Sequence, residues 1–386
     1  MKHSEMKLFS GLQINQGIFL NNRLFFSSVG LDLANEDGSF SDELYSFYKN
    51  MIDGEMGMVN IGNSTVSPTS RLHATGLALY NSKHAKGLEP IISYAAQKNV
   101  LLVIQLQHYG AQGSSRRTGT PLLSPSGQHC KKMARKFPDD AVAVMSQEQI
   151  TDVINDFAHA ATLVKKAGGK AVQIQAGNGY LISSFLSPYT NHRDDEYGGS
   201  DKNRGRILFE IINEIQLRTN NELTVFVRLG IDDCFDEDVG QKPHFMKFIV
   251  QELERLGVAG IECSLCIGET FNRFLNGYDQ SIKNRLFEGS KLIKTYTTKI
   301  PVGCTGLVSS IDDAESLLKQ YKLDYIGMAR ALLADPKLLP KYKENIQGHI
   351  CRFDGYCFRD KSNPELDRVY CCVNPEYLRN PLIKYE

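Results

Sequence analysis

Short apolar runs rich in β-branched residues recur along the whole chain, and helical patterns separate them. That alternation narrows the architecture more than any other feature. The runs are LFFSS (24–28), GMVNIG (57–62), VLLVIQLQ (100–107), KAVQIQ (170–175), TVFVRL (224–229), VAGIECS (258–264), IPVGCT (300–305) and LDYIGMA (323–329). Several are continuous rather than alternating, as expected for parallel strands covered on both faces. Between them, helical periodicity appears at 41–53, 82–97, 146–168, 202–217, 242–256, 310–320 and 331–345. In 146–168, Ile150, Val153, Ile154, Phe157, Ala161 and Val164 recur at three- and four-residue steps. Ser146 stands where a cap belongs, and Gly168–Gly169 where a stop belongs. Eight strands alternating with helices predict an α/β (β/α)₈ barrel. A doubly wound dinucleotide fold would place G-x-G-x-x-G after the first strand, and none follows residues 24–28.

No Pro/Gly-rich linker divides the 386 residues. The simplest division is a barrel over 1–346 and a cysteine-containing tail over 347–386. Two connections are long, 108–145 and 176–201, and long loops in compact domains tend to carry function. The 44 Lys+Arg balance the 44 Asp+Glu, which points away from nucleic acid and from anionic membrane surfaces. No apolar run approaches the roughly 20 residues of a membrane span. MKHSEMKLFSGLQ lacks the apolar core of a signal peptide. A cytoplasmic protein is expected, with self-association left open.

In such barrels the chemistry sits at the C-terminal ends of the strands. Those ends carry Ser27, Ser28 and Gly30, then Gly62 and Asn63, then Gln105 and His108. Gln175 and Asn178 follow on strand 4 and Arg228 on strand 5; Thr305–Gly306 and Ala329–Arg330 end strands 7 and 8. The last two segments, VGCTGLVSS and YIGMARALLADP, combine small residues with a cation. That combination suits a phosphate site after strands 7 and 8.

The segment GNGYLISSFLSPYTNHRDDEYGGSDKNRGR resembles the signature of the old yellow enzyme family. VIQLQHYG, FVRLG and GMARALLADPKL resemble that family's strands 3, 5 and 8, and NNRLFFSSVG its strand 1. The similarity runs in order over the barrel and looks nearest to the branch of bacterial 2,4-dienoyl-CoA reductases and ene-reductases. It implies a single barrel binding FMN and taking hydride from NADH or NADPH. Additional FAD and NAD domains are not expected. Ser28, Gly30, Asn63, Gln105, Arg228, Gly306, Ala329 and Arg330 would hold the FMN. Gln105 would meet the pyrimidine edge, Arg228 would sit near N1 and C2=O, and Gly306, Ala329 and Arg330 would take the phosphate.

Where the family places a His pair, this chain has Gln175 and Asn178. Amide N–H groups also donate hydrogen bonds, so the pair would anchor the carbonyl oxygen of an α,β-unsaturated small-molecule substrate. Tyr180 matches the family's proton donor. Ser28, Gly30 and Ala111 replace the family's Pro, its flavin-tuning Thr or Cys, and its Arg. A flavin or quinone reductase, or an NAD(P)H oxidase, is the alternative reading; a flavin-binding barrel without catalysis is a second. In the charged signature, Arg193, Asp194, Arg204 and Arg206 read as structural ties.

Cys351, Cys357, Cys371 and Cys372 stand near the position of a [4Fe–4S] site in relatives. Asp354 occupies the place of one ligand, and the spacing to Cys357 is one short. An empty, degenerate site is expected, with no metal.

Overall fold

A computed structural model describes residues 5–15, 17–237, 239–275, 279–355, 357, 369 and 371–377. Eight parallel strands close into a barrel. They are β1 (Leu24–Phe26), β2 (Met58–Thr65), β3 (Leu101–Gln107), β4 (Ala171–Ala176), β5 (Thr224–Asp232), β6 (Gly260–Leu265), β7 (Val302–Thr305) and β8 (Tyr325–Met328). Each pairs with its sequence neighbour, and β8 returns to β1 through Gly327 opposite Phe25. All eight runs named from sequence are strands.

The outer helices are α1 (Asp42–Ile52), α2 (Ser82–Gln97), α3 (Gln147–Lys166), α4 (Asp201–Thr219), α5 (Lys247–Arg255), α6 (Gln280–Lys294) and α7 (Ile311–Gln320). Their starts follow local chemistry. Ser41, Asn81, Ser146, Ser200, Asp279 and Ser310 each accept a backbone N–H of the first turn, which satisfies donors the helix leaves orphaned. Ser146 and Gln149 complete a capping box. The pattern expected over 331–345 is two short helices, Arg330–Ala334 and Leu338–Lys343.

Helix α6 and the hairpin ahead of the barrel escaped the periodicity, as did short elements inside the long connections. Helix α6 buries Ile282, Leu286, Phe287 and Ile293, but Gly289 and Ser290 also face the core. A Cβ at Gly289 would come 2.9 Å from Ile231 Cδ1, so small residues interrupt the apolar stripe where the helix packs closely on β5. The hairpin is antiparallel, Leu12–Asn15 with Ile18–Leu20.

That hairpin explains the two-tier interior. Ile18 and Leu20 pack with Phe25, Met58, Val103, Ala171, Phe226 and Tyr325 into a buried apolar cluster. It closes the N-terminal end of the barrel. The larger apolar core lies between the strands and the helices. Above the apolar tier the inward positions turn polar, which is where the site begins.

The connection 108–145 lies over the C-terminal face. Its Leu122–Ser124 and Val142–Val144 pair as two short parallel strands. Gln112 Nε2 donates to the Asn178 carbonyl at 2.8 Å. Arg193 Nη1 donates to the carbonyls of Pro125 and Met145 at 2.9 and 2.7 Å. Arg204 Nε reaches the Leu186 carbonyl and Arg206 Nε the Glu196 carbonyl. The arginines of the signature thus fasten loops together. The carboxylate that pairs with Arg193 is Asp195; Asp194, read as a tie from sequence, is exposed.

Tail residues reach the same face. Val369 N donates to the Leu31 carbonyl and Asn374 Nδ2 to the Leu333 carbonyl. Among the described residues no helix is long and apolar enough to cross a membrane.

Candidate active site

The strand ends enclose a cavity that opens at its mouth. Ser28, Gly30, Asn63, Gln105, Gln175, Asn178, Tyr180, Arg228, Gly306, Ala329 and Arg330 all line it. The eleven residues singled out from sequence therefore surround one space.

Its floor is a hydrogen-bonded polar tier. Residues two apart on a strand share a face, so Gln105 with Gln107 and Gln173 with Gln175 both turn inward. Ser28 Oγ donates to Gln105 Oε1 at 2.8 Å, and Gln105 Nε2 donates to Gln173 Oε1 at 2.7 Å. Gln173 Nε2 donates to Glu262 Oε2 at 2.8 Å. Ser27 Oγ donates to Glu262 Oε1 at 2.6 Å, and Arg228 Nε lies 3.3 Å from the same oxygen. Arg228 Nη1 donates to Ser27 Oγ and to the Ser28 carbonyl at 3.2 and 3.0 Å. Its Nη2 has no protein partner among the described residues. The cation is thus held by the hydrogen bonds of Nη1 and by the ion pair of Nε with Glu262, in which Nε makes no hydrogen bond. The sequence reading missed Glu262, Gln173 and Asn60. Their signal was a polar residue at an inward position of an otherwise apolar strand.

Just past β4 the chain turns sharply, with Asn178 at φ +59° and Gly179 at φ +75°. A side chain at Gly177 would meet Ser264 Oγ at 2.5 Å. Asn178 Nδ2 donates to the Leu265 carbonyl at 2.9 Å, and Gln175 Nε2 lies 3.5 Å from Asn178 Oδ1. Each amide spends one hydrogen on the loop and keeps a second. The Tyr180 ring stands edge-on to Tyr109, with centroids 5.6 Å apart. Burial pushes its phenol up to about 12, against the opposing pull of Arg228.

At the other end, Gly306 and Leu307 adopt positive φ of +143° and +57° after β7. The backbone N–H groups of Gly306, Leu307 and Arg330 have no hydrogen-bond partner among the described residues. The Arg330 side chain is occupied otherwise. Its guanidinium donates to the carbonyls of Leu275 and Phe274 at 2.9 and 3.3 Å and lies 4.7 Å from the Phe353 ring centroid. Phe274 leans on Gly306: a Cβ there would meet its ring at 2.3 Å. The rings of Phe271, Phe274 and Phe353, which sequence did not single out, complete this wall.

Residues 7–349 match the model of the NADH:flavin oxidoreductase / NADH oxidase family. The chain belongs to that family. It is 30% identical over 334 residues to an NADPH dehydrogenase of Halalkalibacterium halodurans, covering 86% of this chain and 92% of that protein. The fold is similar to 2-naphthoyl-CoA reductase, with a TM-score of 0.85 at 20% identity, over 96% of this chain and 57% of that one. An old yellow enzyme from a Pichia species superposes with a TM-score of 0.74 at 23% identity, over 91% and 90% of the two chains. As a member of this family the protein is an FMN-dependent NAD(P)H oxidoreductase.

The cavity suits that cofactor. An FMN needs an apolar slot for its ring, polar partners along the pyrimidine edge, a cation near N1 and donors for its phosphate. Gln105 and the spare Arg228 nitrogen stand at one end, and the unpartnered N–H groups of Gly306, Leu307 and Arg330 at the other. Met328 and Val29 supply apolar lining between them.

Beyond Tyr180 the space widens into a cleft lined by Tyr109, Arg116, Arg117, Lys132, Lys136 and Phe271, among others. Lys132 Nζ lies 5.3 Å from the Phe271 ring centroid. In the tail, Cys351 and Cys357 are half-buried, Cys371 is buried and Cys372 is exposed. Cys372 Sγ contacts Asp354 Oδ2 at 3.2 Å. Among the described residues no three His, Cys, Asp or Glu groups converge as a metal site.

Proposed function

We propose that the protein passes hydride from NADH or NADPH to an α,β-unsaturated carbonyl compound, with Gln175 and Asn178 holding the carbonyl oxygen and Tyr180 protonating the α-carbon. The observation that carries this reading is the convergence of both amides and the phenol on the cavity that Gln105 and Arg228 also line. Bound FMN supplies the hydride chemistry, accepting two electrons from the nicotinamide and releasing them to the acceptor. The protein's share is orientation and charge. The spare N–H of each amide polarises the carbonyl without carrying a charge of its own. The phenol, held up to about 12 by burial, keeps its proton across the working range and yields it only to a strongly basic enolate carbon. Gln105 and Arg228 grip the pyrimidine edge, and Ser28, Gly30 and Asn63 border it. Gly306, Ala329 and Arg330 close around the phosphate, with the Arg330 side chain bracing the Phe274 loop. The barrel spans 1–346 and residues 347–386 form a tail, of which Val369 and Asn374 bond to the barrel; the compartment is cytoplasmic.

Rapid mixing on the separate half-reactions tests this. Cofactor released by heat should have the mass of FMN. Asn178→Ala should slow acceptor reduction by about 10²–10³ and leave flavin reduction by NAD(P)H nearly unchanged. Tyr180→Phe should slow only acceptors that need a proton at carbon, sparing quinones. If both variants leave every acceptor untouched, the protein is a flavin or quinone reductase instead. A flavin that NAD(P)H does not bleach would mean a binding barrel without catalysis.

A further inference from the structure

Glu262 lies beneath the cavity, is fully buried, and lines no part of it. Every polar contact it makes is with a donor: Ser27 Oγ, Gln173 Nε2, Arg228 Nε, and Asn60 Nδ2 at 3.4 Å. Burying a carboxylate so deeply is costly unless it is paired and fully bonded, and here it is both. A carboxylate only accepts, and that fixes the direction of everything above it. Gln173 must turn its amino group to Glu262, so its carbonyl faces Gln105. Gln105 must then turn its amino group down to Gln173, and its carbonyl receives the Ser28 hydroxyl. The amide that meets the cofactor thus has one orientation, imposed two residues away. The same carboxylate stands 3.3 Å from Arg228 Nε, so the site's cation arrives already half-compensated.

We propose that Glu262 is a positioning residue that aligns the Gln105 amide through Gln173 and offsets the charge of Arg228, holding the reduction potential of the bound flavin below the value Arg228 alone would set. This rests on FMN lying over Gln105 and Arg228 as read above. Two-electron, one-proton reduction of FMN leaves one negative charge along the N1–C2=O edge. A full positive charge beneath that edge favours the reduced form, and a compensated one favours it less.

The test is a redox titration of the holoenzyme against a dye of known potential, alongside sulfite binding at flavin N5, which places negative charge on the same ring. Glu262→Gln keeps the shape and removes the charge. It should shift the reduced-to-oxidised ratio about tenfold toward reduced at fixed dye potential, which is about 30 mV for a two-electron couple, and tighten sulfite binding by a similar factor. Gln173→Met leaves the Arg228–Glu262 pair in place and removes the relay, together with one hydrogen bond to Glu262. It should loosen FMN at least fivefold and leave the ratio unchanged within twofold. A Glu262→Gln holoenzyme with an unaltered ratio overturns the proposal, because a purely structural role would lower stability without moving the potential. Should Glu262→Gln not fold, Gln173→Met decides, and unaltered FMN affinity there overturns the proposal. Wild-type protein carrying no FMN would sink the parent reading, whereas FMN bound at an unchanged potential sinks only this one.

Discussion

His108 follows directly on β3, with Nδ1 accepting the Gly110 N–H at 3.1 Å and Nε2 buried without a partner among the described residues. Burial pushes its imidazole down to about 3. The folded protein therefore keeps it neutral, while the unfolded chain protonates it below about 6.5. A depressed histidine contributes stability above its unfolded value and loses it as pH falls. His108→Gln preserves an acceptor for Gly110 and removes the titration. The stability advantage of wild type over this variant should shrink by about 2 kcal/mol between pH 6.5 and 4.5, measured by denaturant unfolding at each pH. A constant gap would show that the imidazole is solvated after all. At this scale the sequence was informative where a residue sits at a strand end, as with Gln105, Asn178 and Arg228. It was silent on Glu262, because one carboxylate inside GIECS looks like any strand position until neighbouring strands bring donors to it.

Among elements, the strands were legible because parallel strands buried on both faces leave uninterrupted apolar runs. Helix α6 was not, because Gly289 and Ser290 occupy core positions where packing is too tight for larger side chains. The N-terminal hairpin was hidden for a different reason: its two strands have only four and three residues, too few for a period to show. Its task is nonetheless large. Leu20 is 1% exposed within the lower tier, so Leu20→Ala should cost about 2–5 kcal/mol. Phe25, Met58 and Phe226 lie between it and the cavity, so FMN retention and the flavin spectrum should stay as in wild type. Urea unfolding with parallel flavin absorbance measures both. Loss of flavin without loss of stability would mean that the two tiers are coupled.

For the whole molecule, charge is balanced in number but not in place. Residues 108–145 hold six Lys and Arg against two Asp and Glu, although the chain totals 44 of each. Arg116, Arg117, Lys132 and Lys136 of this segment line the cleft outside Tyr180. Formal neutrality therefore conceals a positive entrance, which composition could not reveal and the folded path of one loop does. Such an entrance acts before any contact forms: it draws anions down the field and shortens their search, and dissolved salt blunts it within a Debye length of about 10 Å at 0.1 M. The second-order rate of flavin reduction by NADPH should fall roughly three- to tenfold between about 0.02 and 0.5 M salt. Delivery of an uncharged enone to the reduced enzyme should stay flat over the same range. A stopped-flow series in salt reads both slopes, and equal slopes would mean that the cations at the mouth leave the approach of ligands unaffected.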